Sequence, residues 1–482
     1  MRITNQMTTN RLLLNINRNA TAADRFMMQL TSGKRIHRPS DDPIIASRAL
    51  RFRTNVSEVE QFRRNAGQAA SWMEVTEGAM GNMQSILTNI NTRLVQAATG
   101  TYTIGQRQTI VAEINMFFQQ MNSEMNATFA GRYVFSGFRT DRSPVVLRDT
   151  MFDDPVSITH GIRAQDLEVL TQIAWWDGPP ANTWEFSAYP NDPTISFNNV
   201  LDEPIHKFKL PFSETAGRAM SIPTIDLMDA TGAVTSTITP VSLSLTGLIN
   251  PFTWAQINDA AVFIPETGEI ILPQSLVDDV NDAVSMSVNY EIDGVYEGEL
   301  NPFVFFHTEV LSAGPPGTPG NPIFTVGDQE LRFELGTNVR IAVNSQANDA
   351  YPWQLFANLT SLYNFVNNIE VPQNLTAQEA AEHEEFFREL LYQKFTNMIS
   401  SMEDHIQHTA TEYTTMGSRM NRVELISNRL LENRDTFTEL MSENENVDFV
   451  DVMMRFNAAE AIFQAAMQVG ARIAQISIVN FL

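Results

Sequence analysis

The chain has 482 residues, no Cys, 22 Met and a formal charge of -24. Zero Cys excludes disulfide scaffolds, thiolate zinc sites, thiol nucleophiles and iron–sulfur clusters, while 43% hydrophobic and 18% charged residues make a globular rather than a disordered composition. No run of about 18 apolar residues occurs, so no membrane-spanning helix is expected, and the acidic total speaks against nucleic acid as a partner.

Charge and proline divide the chain into three. Residues 1–150 hold 18 Lys+Arg against 11 Asp+Glu, residues 151–350 hold 6 against 27, and residues 351–482 hold 8 against 18. The net charges are therefore +7, -21 and -10. Of the 22 Pro, 17 lie in the middle segment. Pro cannot donate a backbone hydrogen bond and breaks helices, so the middle is expected to be strand and loop and the ends helical. The opposite charge of the two ends favours their association, weakly after screening.

Met1–Leu30 mixes Asn, Arg and Thr without an apolar core, so no signal peptide is expected. Apolar residues alternately three and four apart line one helix face. The first such seam is Leu13, Ile16, Ala20, Ala23, Met27 and Leu30, and Gly33 supplies the left-handed stop after it. Asp42-Pro43 is an N-cap followed by Pro at the first helical position. The helix it starts should run to about Ala98 and stop at Gly100. Its seam is Val59, Phe62, Ala66, Ala69, Met73, Thr76, Met80, Met83, Leu87, Ile90, Leu94 and Ala97. At 1.5 Å per residue it would be roughly 80 Å long, so an elongated molecule is expected. A further helix is predicted over 104–130, ending at Gly131.

Within the middle, 233–247, 268–272, 284–292, 303–310, 323–335 and 339–344 read as strands. Thr231-Gly232, Thr267-Gly268 and Asp293-Gly294 read as turns, and Ser312–Pro322 as a loop. Helix returns after Thr376 and Glu379, which have capping-box spacing. Its seam is Tyr392, Phe395, Ile399, Met402, Ile406, Thr409, Tyr413, Met416, Met420, Val423, Ser427 and Leu430. The last seam is Ala459, Ile462, Ala466, Val469, Ile473 and Ile476, with Phe456 and Phe463 as a flanking row. The terminal seams are Ala-rich, and Gly470 costs the last one ~1 kcal/mol. A hairpin of two such helices buries little, so stabilisation by neighbouring copies is expected.

Catalytic and metal patterns are weak. His383-Glu384 opens a zinc-protease motif, but Phe387 stands where the second His is needed. His405, His408 and Glu412 share a helix face and read as a solvated flank. Asp278, Asp279 and Asp282 lack the Gly and Glu of a calcium loop and read as an acidic turn. Gly78 and Gly81 lie in a helix rather than a phosphate loop, and no nucleophile elbow occurs. The expectation is a non-enzyme without cofactor or metal.

Several segments carry a resemblance. The chain opens Met1-Arg-Ile-Thr-Asn-Gln-Met7, followed by Leu30-Thr-Ser-Gly-Lys-Arg-Ile36 and Pro39-Ser-Asp-Asp-Pro43. Ala46, Ala49, Asn65, Ala69, Gly100-Thr101, Arg107 and Gly131-Arg-Tyr-Val-Phe-Ser-Gly137 come next. Gly417-Ser-Arg-Met-Asn-Arg-Val-Glu424, Phe463–Met467 and Asn480-Phe481-Leu482 follow near the other end. Over residues 1–145 and 335–482 the chain resembles the flagellin superfamily, most closely its hook–filament junction proteins. The resemblance does not extend to the middle.

The resemblance implies an elongated α+β protein, with a long antiparallel coiled-coil and helical bundle from both termini and a β-rich middle insertion. Residues 1–32 and 447–482 would be the inner-tube helices, with their two seams as the assembly interface. Residues 33–145 and 345–446 would be the surrounding rod, and 146–344 an outer module of one or two domains. Gly33, Lys34, Arg35, Pro39, Asp41, Asp42 and Pro43 would form the spoke, with Lys34, Arg35 and Arg38 available to Asp41 and Asp42 for ion pairs. The implied partners are a FlgK-type hook-associated protein, flagellin, identical copies in a ring and the export chaperone FlgN. Export through the flagellar type III apparatus to an extracellular flagellum is implied as well. Flagellin itself, with an enlarged outer domain, is the alternative.

Overall fold

A computed structural model describes residues 5–100, 102–162, 167–173, 199–214, 218–244, 251–311, 322–325, 327, 329–367, 369 and 377–479. In chain order, α1 (Asn5–Ser32), α2 (Pro43–Ala98) and α3 (Ile104–Met125) precede the short strands β1 (Thr128–Phe129) and β2 (Arg132–Tyr133). Then come β3 (Thr150–Ile162), β4 (Glu168–Ile173), β5 (Asn199–Lys209), β6 (Thr224–Met228), β7 (Val234–Ile238) and β8 (Val241–Ser242). Next are α4 (Pro251–Asn258), β9 (Val262–Ile264), β10 (Glu269–Leu272), α5 (Gln274–Asp282) and β11 (Ser285–Val295). After α6 (Pro302–Phe305) come β12 (His307–Val310), β13 (Ile323–Phe324), β14 (Arg332–Gly336) and β15 (Val339–Ala342). The chain continues through α7 (Ala347–Ala350), α8 (Trp353–Asn367), α9 (Ala377–Glu445) and α10 (Phe449–Val479). The architecture is α+β, with helices at both ends and a β-rich middle. No helix among the described residues is long and apolar enough to cross a membrane.

Two compact units share the chain: residues 1–68, 334–340 and 423–482 form one, and residues 69–333 and 341–422 the other. In the first, α1 and α10 pack together. Gly33 ends α1 at φ 66°, its N–H donating to the Gln29 carbonyl, as a left-handed cap should. The Asp42 carboxylate accepts from the Ile44 and Ile45 amides and so starts α2.

In the second unit a five-stranded sheet has the order β4-β5-β10-β9-β8 and a six-stranded sheet the order β13-β12-β3-β11-β6-β7. Helix α4 covers the first with a core of Ile205, Phe252, Ala255, Val262, Ile264 and Ile271. The central strand β3 buries Val156, Ile158, His160 and Ile162 in strict alternation, which an antiparallel strand with one core face requires. Helices α3 and α8 pack through the Phe118–Phe356 ring contact, and Gln108 donates to the carbonyls of Val366 and Ile369. Gly81 of α2 faces the Tyr413 ring of α9.

The seam predicted for α2 is buried throughout except for half-buried Phe62. That of α9 is buried at Phe395, Met402, Thr409, Met416, Val423 and Leu430. Near its start the seam runs one residue earlier, through Leu391 and Met398, and Tyr392 is exposed.

Four local expectations fail. Helix α3 stops at Met125, because the Asn126 side chain bonds both the amide and the carbonyl of Val145, and a hairpin follows with Gly131 at φ 77°. Asp293-Gly294 is not a turn but a register shift inside β11, where a Cβ on Gly294 would collide with the Met151 sulfur. Residues 302–305 are a helical turn before β12, started by the Asn301 side chain accepting from the Phe303 amide. Asp278, Asp279 and Asp282 belong to α5. Strands β3, β4, β5, β6 and β9 and helices α4, α7 and α8 were not predicted; internal Asp and Pro mask β3 and β5. Thr376 and most of the Ser312–Pro322 loop lie outside the described residues.

Candidate assembly surfaces

The terminal hairpin sorts each helix into two apolar faces. On α1 the half-buried row includes Ile16, Ala20, Ala23, Phe26 and Leu30, with Gln29 buried. On α10 it is Val452, Phe456, Ala459, Phe463, Ala466 and Gly470. These α10 positions alternate by four and three, and large Phe sits beside small Ala or Gly, a spacing that suits close helix pairing.

The predicted seams mix this row with another face. Leu13 and Met27 are 54% and 57% exposed, and Ile462 and Val469 are 55% and 50% exposed. Phe456 and Phe463, expected to flank the seam, lie within the inward row. The side chains of Ile473 and Ile476 lie outside the described residues. Met7, Leu14 and Met28 add exposed apolar positions at multiples of seven on α1, and Met453 and Met467 do so on α10. Side chains this apolar in water form a second set of stripes beside the hairpin contact.

The segment 33–43 is tied to the far end of α9. The Arg35 amide donates to the Glu445 carbonyl at 2.7 Å, and the Val447 amide donates to the Gly33 carbonyl at 3.1 Å. The Glu445 carboxylate, 5% exposed, accepts two hydrogen bonds from Arg53, at 2.6 and 2.8 Å, and one from Lys34 at 3.3 Å. Arg53's hydrogen bond is the main reason the Glu445 carboxyl titrates below its usual range, against a smaller opposing effect of burial. Lys34 also donates to the Asn446 side-chain carbonyl at 2.8 Å, and Gln29 donates to the Arg35 carbonyl at 2.7 Å.

The acidic residues of this segment serve the backbone. Asp41 accepts from the amides of His37 and Arg38, and those bonds hold its carboxyl low, whereas Asp42 caps α2. Pro39 is exposed, and Pro43 opens α2. No local pattern announces Arg53–Glu445, whose members lie 392 residues apart.

Of the α9 face read as a solvated flank, both histidines make local contacts. His408 bonds the Asp349 carbonyl at 2.6 Å, and His405 lies 3.3 Å from the Ser401 hydroxyl. Among the described residues no group of three or more His, Asp or Glu is placed to hold a metal ion.

Two family models match the ends of the chain. Bacterial flagellin N-terminal helical region matches residues 3–140, and Bacterial flagellin C-terminal helical region matches residues 399–482. Flagellar hook-associated protein 3 of Escherichia coli (strain K12) is 26% identical over 145 residues, which are 30% of this chain and 46% of that protein. A flagellin of Clostridium tyrobutyricum is 30% identical over 128 residues, which are 27% of this chain and 34% of that protein. The chain thus spans less than half the length of these curated relatives. A crystal structure of Xanthomonas campestris FlgL covers 80% of this chain and 98% of that one at 12% identity, with a TM-score of 0.30, too remote a likeness to place any element. Between them the two matched regions take in α1, α2, α3, most of α9 and α10, and over these residues the chain is similar to the helical ends of bacterial flagellins.

Proposed function

We propose that the chain is a structural subunit of the bacterial flagellum, seated at the hook–filament junction as in the FlgL proteins. It would join a FlgK-type hook-associated protein to flagellin. One observation carries this reading: both terminal helices pair as a hairpin yet keep apolar stripes in water, on ends that match the flagellin helical regions. The occupant of those stripes is a second copy of the same chain, so that copies form a ring with an inner wall of terminal helices. Residues 1–32 and 447–482 form that wall, residues 33–145 and 345–446 the rod around it, and residues 146–344 the outward module.

The role needs packing and no catalysis. A chain without Cys passes the type III export apparatus unfolded with no disulfide to reduce. The chaperone FlgN would cover the C-terminal helix before export, and the assembled protein is extracellular.

The test is genetic. A strain lacking the gene should build hooks but shed flagellin into the medium, and the wild-type gene should restore filaments. Intact filaments in that strain would reject the junction role. The flagellin likeness favours a second reading, a filament subunit. Purified protein that polymerises alone into long filaments would select it.

A further inference from the structure

The chain contains only four Lys against 28 Arg, and three of the four meet at one place. Lys207 and Lys209, two apart on β5, and Lys394 of α9 line a cleft of about 690 Å³ in the larger unit. Two carboxylates face them. Lys207 lies 2.8 Å from Glu269 and 3.8 Å from Glu168, and Lys394 lies 3.0 Å from Glu168. Across the sheet Glu269 stands directly opposite Lys209, yet its carboxylate oxygen bonds Lys207 instead. Glu168 and Glu269 are thus taken up by Lys207 and Lys394. The Lys209 ammonium has no hydrogen-bond or ion-pair partner among the described residues.

Lys209 is half-buried, and an ammonium that loses part of its water without a partner is costly. Here burial pushes Lys209 down to about 8, with Lys394 and Lys207 adding to the effect of burial and Glu269 opposing it. Burial alone would raise Glu168, but Lys394 and Lys207 hold it well below its usual range, so both carboxylates are already ionised and committed. Asp404 also lines the cleft, on an exposed position of α9.

We propose that this cleft binds a small polyhydroxylated carboxylate, with the Lys209 ammonium pairing its carboxylate group. The volume suits a small molecule. Asn358, Ser361, Asn397 and Ser400 give the wall amides and hydroxyls for a hydroxylated body. Among the described residues no Arg lines it, although Arg is seven times as common as Lys in this chain. Arg forks are the preferred holders of phosphate, so a single ammonium beside neutral polar groups suits a carboxylate monoanion. This site is independent of the terminal helices and of the flagellar reading.

Gluconate is the probe, with glucose as its uncharged counterpart and inorganic phosphate as the competing anion. Calorimetric titration of the full chain should show saturable binding of gluconate below about 10 mM and none of glucose. Lys209→Met, which keeps the aliphatic stem, should weaken gluconate binding at least about tenfold. A second measurement needs no variant. Acetic anhydride at pH 8 acylates neutral amines, and with four Lys the peptide map is unambiguous. Gluconate should slow acylation of Lys209 about tenfold while Lys34 reacts at its unliganded rate. No saturable gluconate binding, equal binding by Lys209→Met, unprotected Lys209, or phosphate binding as tightly as gluconate would each overturn the proposal.

Discussion

Glu445 gathers polar contacts from Lys34, Arg35 and Arg53 in the smaller unit. Its carboxylate is 5% exposed, but Arg53 and Lys34 are 60% and 44% exposed, so solvent screens the pairing. Glu445→Gln should cost about 1 kcal/mol, read as a lower denaturant midpoint for amides of α1 with those of β3 and β11 unchanged. Because the folded carboxyl titrates low, this contribution is present above pH 4.5, the ordinary value, and is lost as pH falls through the folded one. His160 behaves differently. It is buried against Tyr290, Phe306 and Trp353 with neither ring nitrogen in a well-formed hydrogen bond, and burial lowers its pKa to about 3 from 6.5. Between those values the unfolded chain binds the extra proton, so stability falls on acidification, by about 3 kcal/mol at pH 4.5. His160→Phe should flatten the unfolding free energy between pH 6.5 and 4.5, and a slope unchanged in that variant would assign it elsewhere. Nothing local marks His160; only the alternation of β3 puts it on the core face.

At the scale of elements, the two faces of α10 make opposite predictions. Phe463 belongs to the inward row, and Phe463→Ala should destabilise the α1–α10 hairpin by about 1–2 kcal/mol, roughly half the cost at a fully buried site. Ile462 is its neighbour in sequence and points to solvent. Ile462→Asp should change monomer stability by less than about 0.5 kcal/mol while abolishing incorporation into flagella. Hydrogen exchange of the monomer and a motility assay separate the two, and normal incorporation of Ile462→Asp would sink the proposed interface. The sequence showed both terminal helices and their Gly33 and Asp42 boundaries, because caps and heptads are local signals. It did not show which of two adjacent apolar rows closes the hairpin, because Ala-rich helices carry several rows that satisfy the same spacing. Strands β3 and β5 were missed for a similar reason. Their Asp and Pro residues are turn formers by themselves, and only pairing with β11 and β10 makes them strands.

At the scale of the whole molecule, a charge of -24 makes copies repel. If apolar stripes join them, salt should help. Raising ionic strength from about 0.01 to 0.15 M shortens the screening length from ~30 to ~8 Å and should increase association by sedimentation. Association that weakens with salt would instead point to ion pairs across the interface. The sequence by itself determined the class of this protein: long helices at both ends, a proline-rich acidic β middle, and terminal motifs of the flagellin superfamily. Each of these is written within a few turns of chain, where periodicity, capping and turn chemistry act. Only the tertiary structure decided the rest: Glu445 as the partner of Lys34, Arg35 and Arg53, the inward row of α10, and Lys207 and Lys209 set beside Lys394. Those groups are brought together across 185 to 411 residues by strand register and helix packing, and no local physics links their positions beforehand.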